Sequence, residues 1–134
     1  MDTRIRIESR LTSLAVVEKA IDTFTKDTSI SRDSYRKILV SVMEAVNNAI
    51  IHGNKSDQTK FVDIELKMTN GSLIVMVKDE GAGFKHSDVP DPTQPDNILK
   101  TSGRGVFLMK KLADEIEFNK KGNCVIMTLK NITT

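Results

Sequence analysis

The sequence has little of what disulfide-stabilised, secreted or aromatic-rich proteins need. Its 134 residues include one cysteine, no tryptophan, one tyrosine and five phenylalanines. A single cysteine, Cys124, excludes a disulfide within the chain and fits a reducing compartment. The first ten residues alternate charged and apolar side chains and contain no apolar signal core. We therefore expect a cytoplasmic protein.

Charge and hydropathy exclude two further kinds of partner. Twenty basic and 18 acidic residues give a formal net charge of +2, without the strong basic excess of a nucleic-acid-binding domain. Aromatic rings that could stack on bases are scarce. No apolar run approaches the roughly 20 residues that cross a bilayer. With 39% apolar and 28% charged residues, the chain has the profile of a globular domain with an aliphatic core, and we expect neither a nucleic-acid nor a membrane partner.

The hydropathy pattern predicts one α+β domain over residues 1–134. Apolar residues at helical spacing predict helices over 14–24, 35–50 and 106–113, and period-two alternation predicts strands. The strands are expected at 4–9, 61–68 and 73–79 and in the C-terminal segments DEIEFN and CVIMTLK. Asn70-Gly71 is a strong hairpin signal. We expect a two-layer α/β sandwich, in which a mixed, mostly antiparallel sheet is covered by helices on one face.

The segment MEAVNNAIIHGN, residues 43–54, places polar groups inside an apolar helix. Glu44 and Asn48 lie one helical turn apart, so both project from one helix face. A carboxylate can accept a proton, and an amide oxygen can ligate Mg²⁺. A buried Glu–Asn hydrogen bond or a partly solvated helix face would give the same sequence.

The segment DEGAGF, residues 79–84, follows a predicted strand directly. Asp79 ends the strand, and Gly81 and Gly83 allow the backbone to turn tightly and to approach a flat ligand. An ordinary glycine turn is the alternative interpretation.

The segment TSGRGVFLMKKLAD, residues 101–114, places Gly103 and Gly105 directly ahead of a predicted helix. The free N–H groups and the dipole at such a helix start favour phosphate, and Arg104 adds a guanidinium. A flexible loop with a glycine entry is the alternative. The P-loop, the dinucleotide-binding fingerprint and the eukaryotic protein-kinase motifs are all absent from the sequence.

Together and in this order, the three segments resemble the GHKL ATP-binding superfamily, whose ATPase fold is shared by gyrase and histidine kinases. Within it the chain is most similar to the anti-sigma factor serine/threonine kinases of bacterial partner-switching systems. EAVNNAIIHGN resembles their N box, DEGAGF their G1 box, and DPTQPDNILKTSGRGVFLMKKLAD their lid and G2 box. The resemblance spans residues 4 to about 130. It implies the Bergerat (histidine kinase-like ATPase) fold, with an ATP lid at about residues 85–102.

The resemblance also implies roles in binding Mg²⁺ and ATP. Asn48 would ligate Mg²⁺, and Glu44 would be the general base. Asp79 would accept a hydrogen bond from the adenine amino group, and Gly81 and Gly83 would lie beneath the adenine ring. This arrangement favours ATP over GTP, because guanine presents a carbonyl at the equivalent place.

Further residues are implied around the phosphates and at the edge of the base. The phosphates would be wrapped by Lys100, Thr101, Ser102, Gly103, Arg104 and Gly105. Arg104 or Lys100 would neutralise charge on the transferring phosphoryl group, and the sequence leaves that choice open. Asn123 stands where many relatives have a threonine near the adenine, and it can supply a similar polar contact.

The activity implied by the resemblance is phosphorylation of a STAS-domain anti-anti-sigma protein on serine or threonine, combined with sequestration of a sigma factor or similar regulator. Glu44 favours this activity over phosphorylation of a histidine. An attacking serine or threonine hydroxyl benefits from a base that takes its proton, whereas a neutral histidine imidazole can attack without one. A non-catalytic, ATP-gated binding module and a histidine-kinase catalytic domain are the alternatives. Against the histidine-kinase domain, we expect that the chain has no room for a four-helix phosphoacceptor domain. The family also implies a homodimer, formed through the first strand and helix.

Overall fold

The structure, a computed structural model, describes residues 2–26, 28–81, 101–119 and 121–133, with only the backbone at 101–104. Strand β1 spans Asp2–Glu8, β2 Phe61–Thr69, β3 Ser72–Lys78, β4 Glu115–Phe118 and β5 Cys124–Leu129. Helix α1 spans Leu14–Thr25, α2 Arg32–Asn48 and α3 Thr101–Leu112. A 3-10 turn, Leu11–Ser13, precedes α1, and a π-helical turn, Ala49–Gly53, follows α2. The predicted α+β class is confirmed.

The five strands form one sheet in the order β1-β2-β3-β5-β4. We expected a mixed sheet, but every pairing among the described strands is antiparallel. The connections explain this difference. Two helices, α1 and α2, follow β1 and return the chain to the end of the sheet that it left, so β2 runs antiparallel to β1. Short connections join β2 to β3 and β4 to β5, and connections this short allow only antiparallel pairing.

One face of the sheet is buried and carries the aliphatic core. In β2 and β3 alternate residues are at most 2% exposed, namely Val62, Ile64, Leu66, Leu73, Val75 and Val77. The same alternation continues in β5 with Val125, Met127 and Leu129. From the helices α1 and α2, the core includes Val17, Ile21, Ile38, Val42 and Val46. Burying each such side chain contributes about 1.5–3 kcal/mol, so this layer accounts for much of the stability.

The predicted Asn70-Gly71 turn is confirmed, and other local signals set the remaining turns and helix ends. Asn70 and Gly71 have φ angles of 48° and 78° and connect β2 to β3, as a two-residue hairpin loop requires. The Ser31 hydroxyl accepts a hydrogen bond from the Ser34 amide at 3.1 Å and caps α2. Gly122, with a φ of 82°, lies in the turn before β5. The helical path that begins with α2 ends at Gly53.

Helix α3 begins earlier than predicted. We placed Gly103 and Gly105 ahead of a helix starting at Val106, but the helix begins at Thr101 and includes both glycines. A glycine inside a helix costs about 1 kcal/mol relative to alanine. Val106 and Met109 are at most 2% exposed, because α3 packs against α2 there. This burial offsets the cost of the two glycines. None of the described helices is long and apolar enough to cross a membrane.

Candidate functional site

A pocket opens where the end of α2 meets the end of β3 and the start of β5. Asn48 from α2, Asp79 after β3 and Asn123 before β5 all line it. Phe118 and Val77 contribute apolar wall. The fold thus brings together three of the predicted site residues, although they come from three segments far apart in sequence. The described cavity is small, about 10 Å³, but its lining of apolar walls and a few fixed polar groups has the composition of a small-molecule site.

Asp79 is the buried acid of this pocket, with 7% of its surface exposed. Its backbone amide donates to the carbonyl of Asn123 at 2.9 Å, which continues the pairing of β3 with β5. Its Oδ1 accepts a hydrogen bond from the Gly81 amide at 2.8 Å. Burial raises the pKa of Asp79, while the Gly81 hydrogen bond and the charges of Lys121 and Lys60 oppose the rise. Such a carboxylate is suited to accept a hydrogen bond from a ligand N–H.

Two glycines make room for the Asp79 carboxylate. A Cβ at Gly53 would lie 2.3 Å from Oδ2 of Asp79, and a Cβ at Gly81 would lie 1.8 Å from the Gly53 carbonyl oxygen. Both distances are far below van der Waals contact, so the two segments meet only because neither glycine has a side chain. Gly81 was predicted from the close approach of the backbone. The contact of Gly53 with Asp79 was not predicted from the sequence.

Glu44 and Asn48 are both half-buried on α2. Asn48 reaches the pocket, whereas Glu44 faces the first turns of α3. A Cβ at Gly105 would lie 3.1 Å from Oε2 of Glu44, so a glycine at this point lets α3 approach the carboxylate closely. One helix face therefore carries a potential proton acceptor and an oxygen ligand beside the pocket that holds Asp79.

The donor set near Asn48 fits a magnesium ion held jointly with a nucleotide. Among the described residues, no group of three His, Cys, Asp or Glu side chains could hold a metal alone. The amide of Asn48 offers one hard oxygen, the kind of ligand that Mg²⁺ takes, and Mg²⁺ usually completes its shell with waters and substrate phosphates. The residues present thus fit Mg²⁺ as part of a Mg-ATP complex.

The side chain of Asn123 is hydrogen-bonded to other residues of the protein. Its Nδ2 donates to the Asp79 carbonyl at 3.1 Å, and its Oδ1 accepts from Nδ2 of Asn119 at 2.6 Å. Oδ1 of Asn119 in turn accepts from the amides of Gly122 and Asn123. These bonds fix the turn before β5 against the residue that follows β3. Asn123 therefore supports Asp79, and the contact with adenine that we predicted for it stays a prediction.

Several predicted residues lie outside what the structure describes. Gly83, Lys100 and most of the lid predicted at about 85–102 fall in this group. For Thr101, Ser102, Gly103 and Arg104 only the backbone is described, as the first turn of α3. The choice between Lys100 and Arg104 at the transferring phosphoryl group therefore stays open.

Sequence comparison identifies the class of protein. The chain matches the histidine kinase-like ATPase domain over residues 7–129 and belongs to that family. The resemblance read from the three motifs is confirmed at this level.

Individual relatives carry names that are more specific than the family description. The chain is 28% identical to an anti-sigma F factor of Clostridium perfringens, over 97% of this chain and 98% of that protein. It is 35% identical to the anti-sigma F factor of Geobacillus thermodenitrificans, over 68% of this chain and 64% of that one. A serine-protein kinase RsbW of Oceanobacillus iheyensis is 26% identical over 76% of this chain and 68% of its own.

A solved structure supports the fold. The crystal structure of the RsbU and RsbW domains of a Mycobacterium tuberculosis protein matches 97% of this chain with a TM-score of 0.70 and 13% identity. This chain spans 32% of that longer one. At this level of identity the match establishes the shared fold.

Proposed function

We propose that this protein is an ATP-dependent serine/threonine protein kinase of the anti-sigma type. One observation carries the proposal. Helix α2 places the Glu44 carboxylate and the Asn48 amide on one face, and Asn48 lines the pocket that also holds the buried Asp79. An ATP-dependent phosphotransferase of this family needs a proton acceptor, a Mg²⁺ ligand and a carboxylate that recognises adenine.

The pocket favours adenine because of where Asp79 lies. Its ionised carboxylate accepts a hydrogen bond from an N–H donor, and adenine has an amino group to offer. Guanine would present its carbonyl to the same carboxylate, so two acceptors would face each other unpaired in a buried place, which costs about 1–3 kcal/mol or more. ATP is therefore the expected phosphoryl donor. The raised pKa of Asp79 means that recognition weakens on acidification sooner than for an exposed aspartate.

The position of Glu44 suits transfer to a hydroxyl. In the proposed step the oxygen of a protein serine or threonine attacks the γ-phosphorus of ATP. The bond from that phosphorus to the β–γ bridging oxygen breaks, ADP leaves, and Glu44 takes the hydroxyl proton. General-base assistance of this kind contributes about 10²–10⁴-fold.

Charge on the phosphates has to be balanced as well. Asn48 would hold Mg²⁺, whose positive charge stabilises the phosphoryl group during transfer. The start of α3 lies beside Glu44, and its backbone N–H groups would approach the phosphates. Arg104 or Lys100 would add a further positive charge.

The proposed partners follow from the three relatives described above, which are named anti-sigma F factor or serine-protein kinase. The phosphoryl acceptor would be a STAS-domain anti-anti-sigma protein, and the retained partner a sigma factor or similar regulator in the cytoplasm. We further propose a homodimer through β1 and α1. β1 lies at one edge of the described sheet, where a second copy could pair with it.

Phosphotransfer tests the proposal. The protein is incubated with Mg²⁺ and γ-labelled ATP, adding in turn each STAS-domain protein of the same genome. Acid-stable label on a serine or threonine of one of them, lost with Glu44→Ala, is the expected result. ATP binding without label on any acceptor would contradict the kinase activity and favour a non-catalytic, ATP-gated binding module.

A further inference from the structure

A group of residues joined by polar side-chain and backbone contacts lies beside the candidate nucleotide pocket and has no role in the chemistry described above. It consists of Ser9 after β1, Asn54 after the π-helical turn, Phe61 at the start of β2 and Glu80 after Asp79. We call these residues the Asn54 cluster. Ser9 and Asn54 are each 1% exposed, so their hydrogen bonds are shielded from water and each one is costly to lose.

Asn54 makes three side-chain hydrogen bonds and uses both N–H donors of its amide. Its Nδ2 donates to Ser9 Oγ at 2.8 Å and to the Phe61 carbonyl at 3.0 Å. Its Oδ1 accepts from the Glu80 amide at 2.8 Å. A carbonyl can only accept and a backbone amide can only donate, so these partners fix which end of the side chain is nitrogen and which is oxygen. Neither a carboxylate nor an aliphatic side chain could make the same set.

The cluster is tied on both sides. The Ser9 hydroxyl donates to the Lys60 carbonyl at 2.8 Å, which holds the end of β1 beside the start of β2. The Glu80 carboxylate accepts from the Phe61 amide. Asn54, Phe61 and Glu80 thus form a ring of hydrogen bonds at the point where the chain leaves β3.

This ring adjoins the Asp79 carboxylate on two sides. Glu80 is the next residue after Asp79, and Gly53, which packs against the Asp79 carboxylate, is the residue before Asn54. The bond from the Glu80 amide to Asn54 Oδ1 therefore joins the two segments that hold the carboxylate. If it is lost, the backbone on either side of Asp79 can shift, and hydrogen bonds weaken steeply once their geometry is lost.

We infer that Asn54 is a positioning residue that holds Asp79 at the place where it recognises the adenine amino group. The inference rests on the proposed function, because it needs adenine at Asp79. It assigns Asn54 no contact with the nucleotide. Asn54 acts through the Glu80 amide and the Gly53 backbone, and its effect is specific to the 6-amino group of the base.

The test compares ATP with purine riboside triphosphate, which lacks that amino group. Wild-type protein should prefer ATP by about tenfold or more, as expected for a hydrogen bond to a charged group. Asn54→Ala should reduce this preference at least about threefold. In an Asp79→Ala background, Asn54→Ala should cause no further reduction, because the double-mutant cycle isolates effects that pass through Asp79.

Two further variants separate positioning from general stability. Thr25→Val removes another buried side-chain hydrogen bond, from Thr25 Oγ1 to the Ile21 carbonyl in α1, and should lower the Tm while leaving the ATP preference unchanged. If Asn54→Ala does not fold, Ser9→Ala keeps Asn54 but removes one of its partners, and should reduce the preference in the same direction.

A folded Asn54→Ala protein with the wild-type preference would overturn the inference, as would Ser9→Ala with that preference where Asn54→Ala does not fold. A different result would reach further. If the wild-type protein shows no preference for the 6-amino group and Asp79→Ala changes nothing, then base recognition by Asp79, part of the proposed function, is contradicted, and the inference falls with it.

Discussion

The Asp79 carboxylate lies against Gly53, in the space that a side chain at position 53 would need. A Cβ there would lie 2.3 Å from Oδ2 and 2.4 Å from Cγ of Asp79. The end of the π-helical turn and the end of β3 can meet only because residue 53 is a glycine. The same glycine thus ends a helix and shapes the proposed base pocket.

Gly53→Ala should therefore weaken ATP binding by about tenfold or more, because the carboxylate has to move from its place. Overpacking should also lower stability by about 1–3 kcal/mol. Calorimetric titration with ATP and urea unfolding measure the two effects. Lys55→Ala, an exposed position on the next turn, is the matched control. Unchanged ATP affinity in a folded Gly53→Ala protein would contradict the placement of the base beside Asp79.

Gly105→Ala should separate catalysis from stability. A Cβ at this position would lie 3.1 Å from Oε2 of Glu44, which displaces the carboxylate by a few tenths of an ångström. Alanine also favours a helix over glycine by about 1 kcal/mol, and this gain offsets the crowding in the unfolding free energy. We expect kcat for phosphotransfer to fall by about tenfold while the Tm does not fall. A variant with full kcat would count against a catalytic Glu44 at this contact.

Asp79 should make the stability of the nucleotide-free protein depend on pH. Burial raises the pKa of Asp79 above its ordinary 3.8, so the folded protein holds this proton more tightly than the unfolded chain does. As pH rises from the ordinary pKa through the raised one, the free energy of unfolding falls, and it stays lower above that range. The contribution of Asp79 is therefore most favourable at low pH.

Asp79→Asn removes this titration and can keep the hydrogen bond from the Gly81 amide. We expect the stability of the variant relative to wild type to increase between about pH 4 and pH 7, measured by urea unfolding without nucleotide. The same variant should bind ATP less well at neutral pH. A stability difference that is flat with pH, or that decreases, would show that Asp79 is not held in a destabilising environment.

Short-range sequence signals were enough to predict most of the fold. Alternation in Phe61–Thr69 and Ser72–Lys78, together with the Asn70-Gly71 turn, defined the central hairpin close to its observed bounds. These signals are local, because each strand shows its buried face in its own sequence. The start of α3 was not predictable in this way, because glycines inside a helix are tolerated only where packing against another element offsets their cost.

The candidate site was predicted in part. Motif order led to Glu44, Asn48 and Asp79, of which Asn48 and Asp79 line one pocket. Asn54 was missed, because its partners Ser9, Phe61 and Glu80 lie 45, 7 and 26 residues away and no local pattern connects them. A buried asparagine directly after the glycine that ends a helix was the available signal. It acquires a meaning only once β1, β2 and β3 are assembled.

The central claim is that Glu44 is the base for transfer of the γ-phosphoryl group of ATP to a protein hydroxyl. The most direct test compares wild type with Glu44→Gln, a variant of nearly the same shape that cannot take the proton. Phosphotransfer to the STAS-domain acceptor and the Kd for Mg-ATP are measured side by side. The account predicts that Glu44→Gln binds ATP within about threefold of wild type and transfers about 10²–10⁴-fold more slowly. Transfer by Glu44→Gln at the wild-type rate would contradict the role of Glu44, and ATP binding by wild type without transfer to any such acceptor would contradict the kinase itself.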